Sequence, residues 1–193
     1  VEEVGTVRSI ESFPNSRRMR IACDKVLEGV AIGDSISVNG VCLTVININD
    51  SEFDVDIVNE TLEKSNLNSI AEESKINLER AMRYNQRVSG HLVQGHVDTQ
   101  AKVLDINKTD EWTEIEFEVD SDYKKYCIYK GSVAIDGVSL TIAKVTSRGI
   151  RVALIPHSLS NTILSNYRVN QHVNIETDMV GKFIENFSGA ISE

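Results

Sequence analysis

Cysteine is scarce in this chain of 193 residues. The three that occur, Cys23, Cys42 and Cys127, are an odd set with no Cys-x-x-Cys spacing. Such a set disfavours a disulfide framework or a structural zinc site, because both need several cysteines at regular spacings. We therefore expect a reducing compartment, the cytoplasm, with a plastid as the alternative.

Long apolar runs and an excess of positive charge are also missing. No stretch approaches the ~20 apolar residues that cross a bilayer, and no basic, apolar-cored leader opens the sequence, so we expect no membrane span and no signal peptide. The chain has 20 Lys and Arg against 29 Asp and Glu, a net charge of −9. This balance disfavours nucleic acid as a partner, since phosphate binding needs clustered cations. The one dense basic cluster, Arg-Arg-Met-Arg at 17–20, is expected to be a solvated strand end.

Glycine motifs that cradle phosphates are absent, since neither Gly-x-x-x-x-Gly-Lys nor Gly-x-Gly-x-x-Gly occurs. His91 and His96 are separated by four residues, and no Glu follows His91 as in the His-Glu-x-x-His motif, so a metal site is not expected. A histidine can transfer protons near neutral pH, which makes His96 a candidate for that role. A lone histidine is more often structural.

One segment of the sequence occurs twice. Residues 36–45 read ISVNGVCLTV and residues 133–142 read VAIDGVSLTI, with Gly137 placed 97 residues after Gly40. The same spacing aligns 61–62 with 158–159 and 76–79 with 173–176. Three blocks at one spacing indicate an internal duplication, with copies of roughly 90 residues.

Each copy predicts a small β-barrel. Residues 53–57 (FDVDI) alternate with the period of a half-buried strand, and Asn39-Gly40 and Asp136-Gly137 are hairpin turn pairs. About six short strands and one short helix per copy indicate a closed Greek-key barrel, which has no free edge. The predicted fold class is all-β, with two tandem, pseudo-symmetric six-stranded barrels at residues 1–90 and 91–179.

The tail at residues 180–193 belongs to neither copy. Val180, Phe183, Ile184 and Phe187 recur at the spacing of one helix face, which predicts an amphipathic helix. A helix this short is marginal in water, so its apolar face must pack on another subunit or on the chain's own barrel.

The first copy starts later than the second. Val1 aligns with Val97, so the first copy has no residues equivalent to Leu92–His96. We therefore expect the chain to begin partway through the first strand of the first barrel.

Hydroxyl and thiol groups recur at equivalent positions of the two copies. Threonine suits strands for structural reasons alone. The duplication of these polar groups instead favours two related pockets for a polyhydroxylated or heterocyclic ligand. The equivalent pairs are Cys42 with Ser139, Thr44 with Thr141, and Thr61 with Ser158.

These segments together resemble the riboflavin synthase family, over essentially the whole chain. The resemblance implies a cofactor-independent transferase that acts on two molecules of 6,7-dimethyl-8-ribityllumazine. A four-carbon unit moves from one molecule to the other, which yields riboflavin and 5-amino-6-ribitylamino-pyrimidinedione in the last step of riboflavin biosynthesis. The matching segments are 38–45 (VNGVCLTV), 77–81 (NLERA), 90–98 (GHLVQGHVD), 129–131 (YKG), 135–141 (IDGVSLT) and 154–157 (LIPH).

The resemblance also implies a homotrimer assembled through the C-terminal helix, with lumazine synthase as a further protein partner that it suggests. Each active site would lie between the N-terminal barrel of one subunit and the C-terminal barrel of its neighbour. The N-terminal pocket would be lined by Cys42, Leu43, Thr44, Asp56, Ile57, Val58, Asn59, Glu60 and Thr61. The C-terminal pocket would be lined by Gly95, His96, Val97, Lys130, Ser139, Leu140, Thr141, Ile155, Pro156, His157, Ser158, Leu159 and Ser160. The candidates for proton transfer and nucleophile activation are His96, Cys42, Ser35, Thr141 and Asp178.

Two other functions stay open at this point. A non-catalytic lumazine or flavin carrier of the lumazine-protein type shares this fold but diverges around the block that reads His-Leu-Val-Gln-Gly-His here. An oligonucleotide-binding barrel is disfavoured by the net charge of −9 and by the lack of an aromatic-basic stacking surface.

Overall fold

The N-terminal barrel contains six antiparallel strands in a computed structural model that describes residues 1–190. Its strands pair in the closed order β1-β2-β5-β4-β3-β6. They are β1 (Glu3–Phe13), β2 (Ser16–Ala22), β3 (Ser35–Val38), β4 (Val41–Ile48), β5 (Glu52–Val58) and β6 (Lys75–Arg80). A short helix, α1 (Asn59–Lys64), follows β5.

The C-terminal barrel repeats this arrangement, because each of its strands has the same neighbours as its counterpart. Its strands are β7 (Thr99–Lys108), β8 (Thr113–Glu118), β9 (Ser132–Ile135), β10 (Val138–Val145), β11 (Gly149–Leu154) and β12 (His172–Thr177). Its helices are α2 (Ser121–Lys124) and α3 (Pro156–Ser160), and α4 (Met179–Ala190) follows the barrel. The predicted all-β double barrel with a C-terminal helix is confirmed, and the last residues of the predicted tail, 191–193, lie outside the described residues.

Register breaks in the strands also occur at equivalent positions of the two copies. β1 shifts register between Val7 and Ser9, and β7 shifts at the equivalent place, between Val103 and Asp105. β4 and β10 break at a second pair of equivalent positions. Such bulges bend a strand and increase its twist, which a six-stranded barrel needs in order to close. Inward side chains then fill two separate apolar cores, one per barrel.

The strands β1 and β7 begin at equivalent positions, Glu3 and Thr99. The residues equivalent to 92–96 therefore lie before the strand and not inside it. The expectation that the chain begins partway through its first strand is wrong, because the matching segment of the second copy is loop.

The two hairpin turns meet on the approximate twofold axis between the barrels. Asn39 and Asp136 have φ of 46° and 43°, and the glycine after each also has positive φ, as a tight hairpin turn requires. A Cβ on Gly40 would lie 2.6 Å from the backbone nitrogen of Gly137. Only glycine allows this approach, so the sequence repeat at these turns also serves the barrel–barrel contact.

The polar face of α4 docks on the chain's own C-terminal barrel. Lys182 Nζ lies 2.6 Å from Asp98 Oδ1, and Glu185 accepts from Lys125 and Tyr126. The side chains of Phe183 and Phe187 are 54% and 67% exposed, which shows that the apolar face does not pack on this barrel. None of the helices described within residues 1–190 is long and apolar enough to cross a membrane.

Candidate active site

A cavity of about 210 Å³ opens on the N-terminal barrel. Its walls come from the start of β4, from α1 with the residue after it, and from the connecting loop, residues 81–98. It brings a thiol, a hydroxyl and an imidazole together. The lining residues are Val41, Cys42, Glu60, Thr61, Lys64, Ser65, Gly95, His96 and Val97.

Gly95 seats the connecting loop directly on β4. The Cys42 backbone N–H donates to the Gly95 carbonyl oxygen over 2.8 Å. Gly95 has φ of +79°, and a Cβ there would lie 2.7 Å from Cys42 Cβ. No other residue fits this position without moving the strand, so Gly95 sets how closely His96 approaches Cys42.

A buried carboxylate holds the loop in place from the opposite side. Glu176 Oε1 accepts from the Gln94 N–H at 2.7 Å, and Oε2 accepts from the Gly95 and His96 N–H groups at 2.9 and 3.0 Å. Asp98 adds a second anchor, since its Oδ2 accepts from both the N–H and the hydroxyl of Thr177 at 2.8 Å. Charge-assisted bonds of this kind are among the stronger ones in proteins, so the loop around His96 is well fixed.

His96 is free to act at the cavity. Its side chain is exposed and makes no side-chain hydrogen bond or ion pair within the described part of the chain. Only its backbone is held, by Glu176. The imidazole is therefore fixed at its base and available to a ligand at its tip.

The C-terminal barrel has a related arrangement around Ser139, the counterpart of Cys42. The Ser139 Oγ lies 2.7 Å from His91 Nδ1, and a Cβ on Gly90 would lie 2.2 Å from the same oxygen. Burial lowers the pKa of His91, while the negative charges of Asp178 and Glu176 act in the opposite direction. A mainly neutral imidazole can accept or donate at Ser139.

Comparison with known proteins adds to this geometry. The family model described as the lumazine binding domain matches residues 1–81 and again residues 94–178. The riboflavin synthase of Bacillus subtilis (strain 168) is 42% identical over 187 residues, which cover 97% of this chain and 87% of that protein. The riboflavin synthase of Schizosaccharomyces pombe is 37% identical over 96% of this chain and 90% of that one. The chain belongs to the riboflavin synthase family.

Solved structures of LumP show the same fold as this member of the riboflavin synthase family. The structure titled as LumP complexed with riboflavin gives a TM-score of 0.85 at 23% identity, and covers 92% of this chain and 96% of that one. The LumP complex with 6,7-dimethyl-8-(1'-D-ribityl) lumazine gives a TM-score of 0.83 at 22% identity. At this identity the likeness concerns the fold alone.

One segment of the riboflavin synthase resemblance lies at a different barrel from the one expected. Gly95, His96 and Val97 were expected in the C-terminal pocket, but they line the cavity of the N-terminal barrel together with Cys42. The reason is that the connecting loop crosses to β4 before it enters β7. His96 and Cys42, two of the proton-transfer candidates, thus share one cavity, whereas Ser35, Thr141 and Asp178 do not line it.

Two of the expected N-terminal site residues do not line the cavity at Cys42. Asp56 forms a two-pronged ion pair with Arg18 at 2.8 and 2.9 Å, and this guanidinium lowers the pKa of the carboxyl group. Ile57 is fully buried in the barrel core. Both side chains are therefore engaged by the protein itself, and a contact between these residues and the ligand stays a prediction. Arg20 pairs with Asp54 in the same way, so the basic cluster at 17–20 is largely neutralised.

The remaining expected residues lie at matching places on the two barrels. In the N-terminal barrel Ser35 pairs with Thr44 across β3 and β4, while Val58, Asn59 and Glu60 are exposed at the start of α1 and Leu43 is buried. In the C-terminal barrel, Leu140 and Thr141 lie on β10 and residues 155–160 lie around α3. Lys130 is exposed, with its ammonium 5.3 Å from the Tyr129 ring centre. Asp178 is half-buried just before α4 and accepts from the Val180 N–H.

Sequence reasoning missed three residues that build this site: His91, Glu176 and Asp98. The alignment of residues 76–79 with 173–176 places Glu176 opposite Glu79, so a signal for a repeated acid at the end of this strand was present. No pattern indicated what that acid binds, because its partners are backbone N–H groups. Among residues 1–190, no three His, Cys, Asp or Glu side chains are grouped in a way that could hold a metal ion.

The three cysteines should differ sharply in reactivity. Burial raises the pKa of the Cys23 thiol to about 12 and that of Cys127 to about 11, whereas Cys42 is exposed at the cavity. Because the thiolate is the nucleophile, limited iodoacetamide at pH 8 should alkylate Cys42 first. Peptide mass spectrometry measures the order of labelling, and denatured protein, in which all three should react, is the control. Equal labelling of Cys23 and Cys42 in the native protein would contradict this account of the cavity.

Proposed function

We propose that this chain is a riboflavin synthase. The observation that carries the proposal is the meeting of His96 and Cys42 in one cavity, together with the imidazole of His91 held at Ser139, the counterpart of Cys42 on the second barrel. A reaction between two copies of one molecule needs two similar pockets, and a duplicated barrel supplies them. The relatives of 37–42% identity named riboflavin synthase support the same function.

The reaction needs no outside reactant. Two molecules of 6,7-dimethyl-8-ribityllumazine become riboflavin and 5-amino-6-ribitylamino-pyrimidinedione when a four-carbon unit moves between them, without net oxidation or reduction. The protein must hold the two rings face to face and move protons between them. Holding the two reactants in place can lower the activation free energy by up to about 7–11 kcal/mol.

His96 is the group best placed for the proton transfers. Its imidazole is exposed beside Cys42, and its backbone is fixed by the Glu176 carboxylate. A general acid or base of this kind must reach the ligand without losing its own position. Cys42 and Thr61 would contact the bound heterocycle or its ribityl chain, and Ser139 with His91 would do so on the C-terminal barrel.

The active site would be shared between subunits. The cavity of about 210 Å³ is smaller than the ~300–1,000 Å³ typical of small-molecule pockets, so one barrel alone would leave much of the ligand uncovered. A neighbour's C-terminal barrel would close it and bring the second substrate. We assign the exposed apolar face of α4 to the trimer contact, since it does not pack on the chain's own barrel. The three free cysteines fit a reducing compartment such as the cytoplasm.

A matched pair of variants tests the shared site. Thr61→Trp should block the N-terminal cavity, which this residue lines, and Ser158→Trp should block the equivalent place on the C-terminal barrel; each alone should abolish riboflavin formation. When the two variants are unfolded together and refolded, random assembly should restore about a quarter of the sites, because intact halves meet at subunit contacts. Each variant refolded alone is the control. A mixture as inactive as its components would place both substrates within one chain.

The helix α4 should control both assembly and activity. Phe183→Glu puts a charge on its apolar face, so we expect a monomer in size-exclusion chromatography with light scattering, and loss of riboflavin formation. Asn186→Glu adds the same charge beside that face and should leave both unchanged. An active Phe183→Glu monomer would show that α4 does not build the site.

The alternative function, a carrier of lumazine or flavin, is supported only by the fold shared with LumP. The number of ligands bound per chain distinguishes the two functions in part. Equilibrium titration with riboflavin should fill both types of pocket in the synthase, whereas a carrier with one retained pocket should bind one ligand per chain. An assay with ribityllumazine as the only reactant then tests for riboflavin itself, and no product with one bound ligand per chain would favour the carrier.

A further inference from the structure

A second, larger cavity lies between the two barrels, on the approximate twofold axis. Its volume is about 640 Å³, three times that of the cavity at Cys42. Its walls are equivalent segments of the two copies, within residues 66–75 and 163–172, with Asn39 between them. None of its lining residues belongs to the cavity that holds His96. It is therefore a separate feature of the molecule.

This cavity is lined by basic and polar side chains and also by Ile70, Ile163 and the ring of Tyr167. Lys75, Arg168 and His172 line it, and no Asp or Glu does among residues 1–190. This is unusual in a chain with a net charge of −9. Among the neighbouring acids, Glu72 accepts from the Ile10 N–H and Glu73 pairs with Arg8. Asp136 does not line the cavity but lies buried behind its wall, where it accepts from Asn66 and Tyr167.

The basic side chains of the cavity make few contacts with other polar groups of the protein. Arg168 and His172 make no side-chain hydrogen bond or ion pair with other residues of the described range 1–190, and Lys75 donates only to the Thr6 hydroxyl, at 2.6 Å. By contrast, Arg18, Arg20 and Arg151 all pair with carboxylates on the barrel surfaces. Arg168 and Lys75 thus place positive charge at the cavity that pairs with no carboxylate among residues 1–190, and its field can attract an anion.

A buried donor at the base of the cavity also lacks a partner. Asn39 is 1% exposed, its Oδ1 accepts from the Asn77 N–H at 2.7 Å, and its Nδ2 has no hydrogen-bond partner in the described chain. The duplication explains why. In the other copy Asp136 Oδ2 accepts from the Tyr167 hydroxyl at 2.5 Å, but the counterpart of Tyr167 is Ile70, which has no hydroxyl.

An unmet buried N–H destabilises a fold, so an acceptor at that position would stabilise the protein. We propose that this cavity binds a phosphate group, held by Arg168, Lys75 and His172 and reached by Asn39 Nδ2. The arrangement favours an acceptor-rich anion, because Arg168, Lys75 and Asn39 Nδ2 can only donate. The volume exceeds what a free phosphate ion fills and lies in the range of small-molecule sites, which favours a small phosphomonoester.

Calorimetric titration of the whole protein at pH 7 tests the proposal, with sodium chloride used to hold ionic strength constant. Glycerol 3-phosphate and inorganic phosphate are the two probes, and each should bind at one site per chain. Tighter binding of glycerol 3-phosphate identifies a phosphomonoester as the ligand, and equal affinities identify the phosphate group alone. Saturating riboflavin should leave both affinities unchanged, since the active cavity is separate.

Variants tie the binding to this cavity. Arg168→Gln should weaken binding about tenfold or more, as expected for a lost charge-assisted bond. Arg148→Gln, which removes an equal charge from a surface ion pair with Glu118, should not. Asn39→Asp replaces the buried donor with an acceptor and should also weaken binding; Asp136 shows that aspartate tolerates the same backbone conformation.

Three results would overturn the proposal. These are no heat of binding with either probe, equal affinity for Arg168→Gln and the unmodified protein, or competition by riboflavin. The last would assign the phosphate to the active cavity.

Discussion

Replacing His96 with alanine will slow riboflavin formation about 100- to 10,000-fold, the range typical of a lost general acid or base. The KM for ribityllumazine should change far less, because the cavity wall formed by Cys42, Thr61 and Gly95 remains. The loop should also stay in place. Its anchors are backbone N–H groups that donate to Glu176, and alanine keeps the one at position 96.

Stability separates this catalytic role from a structural one. The His96 side chain is exposed and without a hydrogen-bond partner in the described chain, so its removal should change the free energy of unfolding by less than about 0.5 kcal/mol. Glu176→Gln is the contrasting variant, since it weakens the loop anchors and should raise KM as well as lower kcat. Steady-state kinetics and thermal unfolding of His96→Ala, with His172→Ala outside the active cavity as the control, measure these effects. Unchanged kcat in His96→Ala would remove His96 from the mechanism.

Replacing Asp136 with asparagine will stabilise the protein at alkaline pH. Asp136 is fully buried between the barrels, and this burial raises the pKa of its carboxyl group to about 7, although the donors Tyr167, Asn174 and Asn66 act to lower it. In the unfolded chain the same group titrates near pH 4. Between about pH 4 and pH 7, Asp136 therefore keeps a proton in the folded state that it releases in the unfolded state.

The sign of the pH dependence follows from linkage. Asp136 contributes no penalty below pH 4, destabilises the fold progressively from pH 4 to about 7, and adds a constant penalty above that. The full effect of such a shift is about 4 kcal/mol. Asparagine has no charge to bury, and Asn39 shows that it adopts the same backbone conformation. Unlike Asn39 Nδ2, an amide nitrogen at position 136 would face the Tyr167 hydroxyl oxygen, which can accept from it.

Denaturant unfolding at pH 5 and pH 8 tests this prediction. Asp136→Asn should be clearly more stable than the unmodified protein at pH 8, with a smaller gain at pH 5. Glu118→Gln, at an exposed ion pair, is the control for a general effect of charge. A variant that is less stable at pH 8 would mean that the barrel contact depends on an ionised carboxylate.

The sequence repeat was sufficient to predict the double barrel. One spacing of 97 residues aligned the hairpins Asn39-Gly40 and Asp136-Gly137, and the structure places both at equivalent turns. Alternation of apolar residues reports burial directly, so strands such as β5 could be predicted. The amphipathic spacing likewise predicted α4. The structure then showed that the apolar face of this helix does not pack on the chain's own barrel.

The site was less predictable, because its contacts join segments with no shared pattern. Nothing in the sequence shows that residues 94–97 cross to β4, since the hydrogen bond from Cys42 to Gly95 involves only backbone atoms. Likewise, Asp56 matches a family motif, but strand pairing places it opposite Arg18 on the outer surface. The partner of an acid depends on register between β2 and β5, which local sequence does not encode.

The most direct test of the account is a product analysis with purified protein and 6,7-dimethyl-8-ribityllumazine as the only reactant. Liquid chromatography with absorbance and mass detection follows all three compounds. We expect two molecules of ribityllumazine to disappear for each riboflavin and each 5-amino-6-ribitylamino-pyrimidinedione formed, with no added metal or coenzyme. Bound but unconverted ribityllumazine, in protein of the expected trimeric mass, would contradict the proposal that this double barrel is an enzyme.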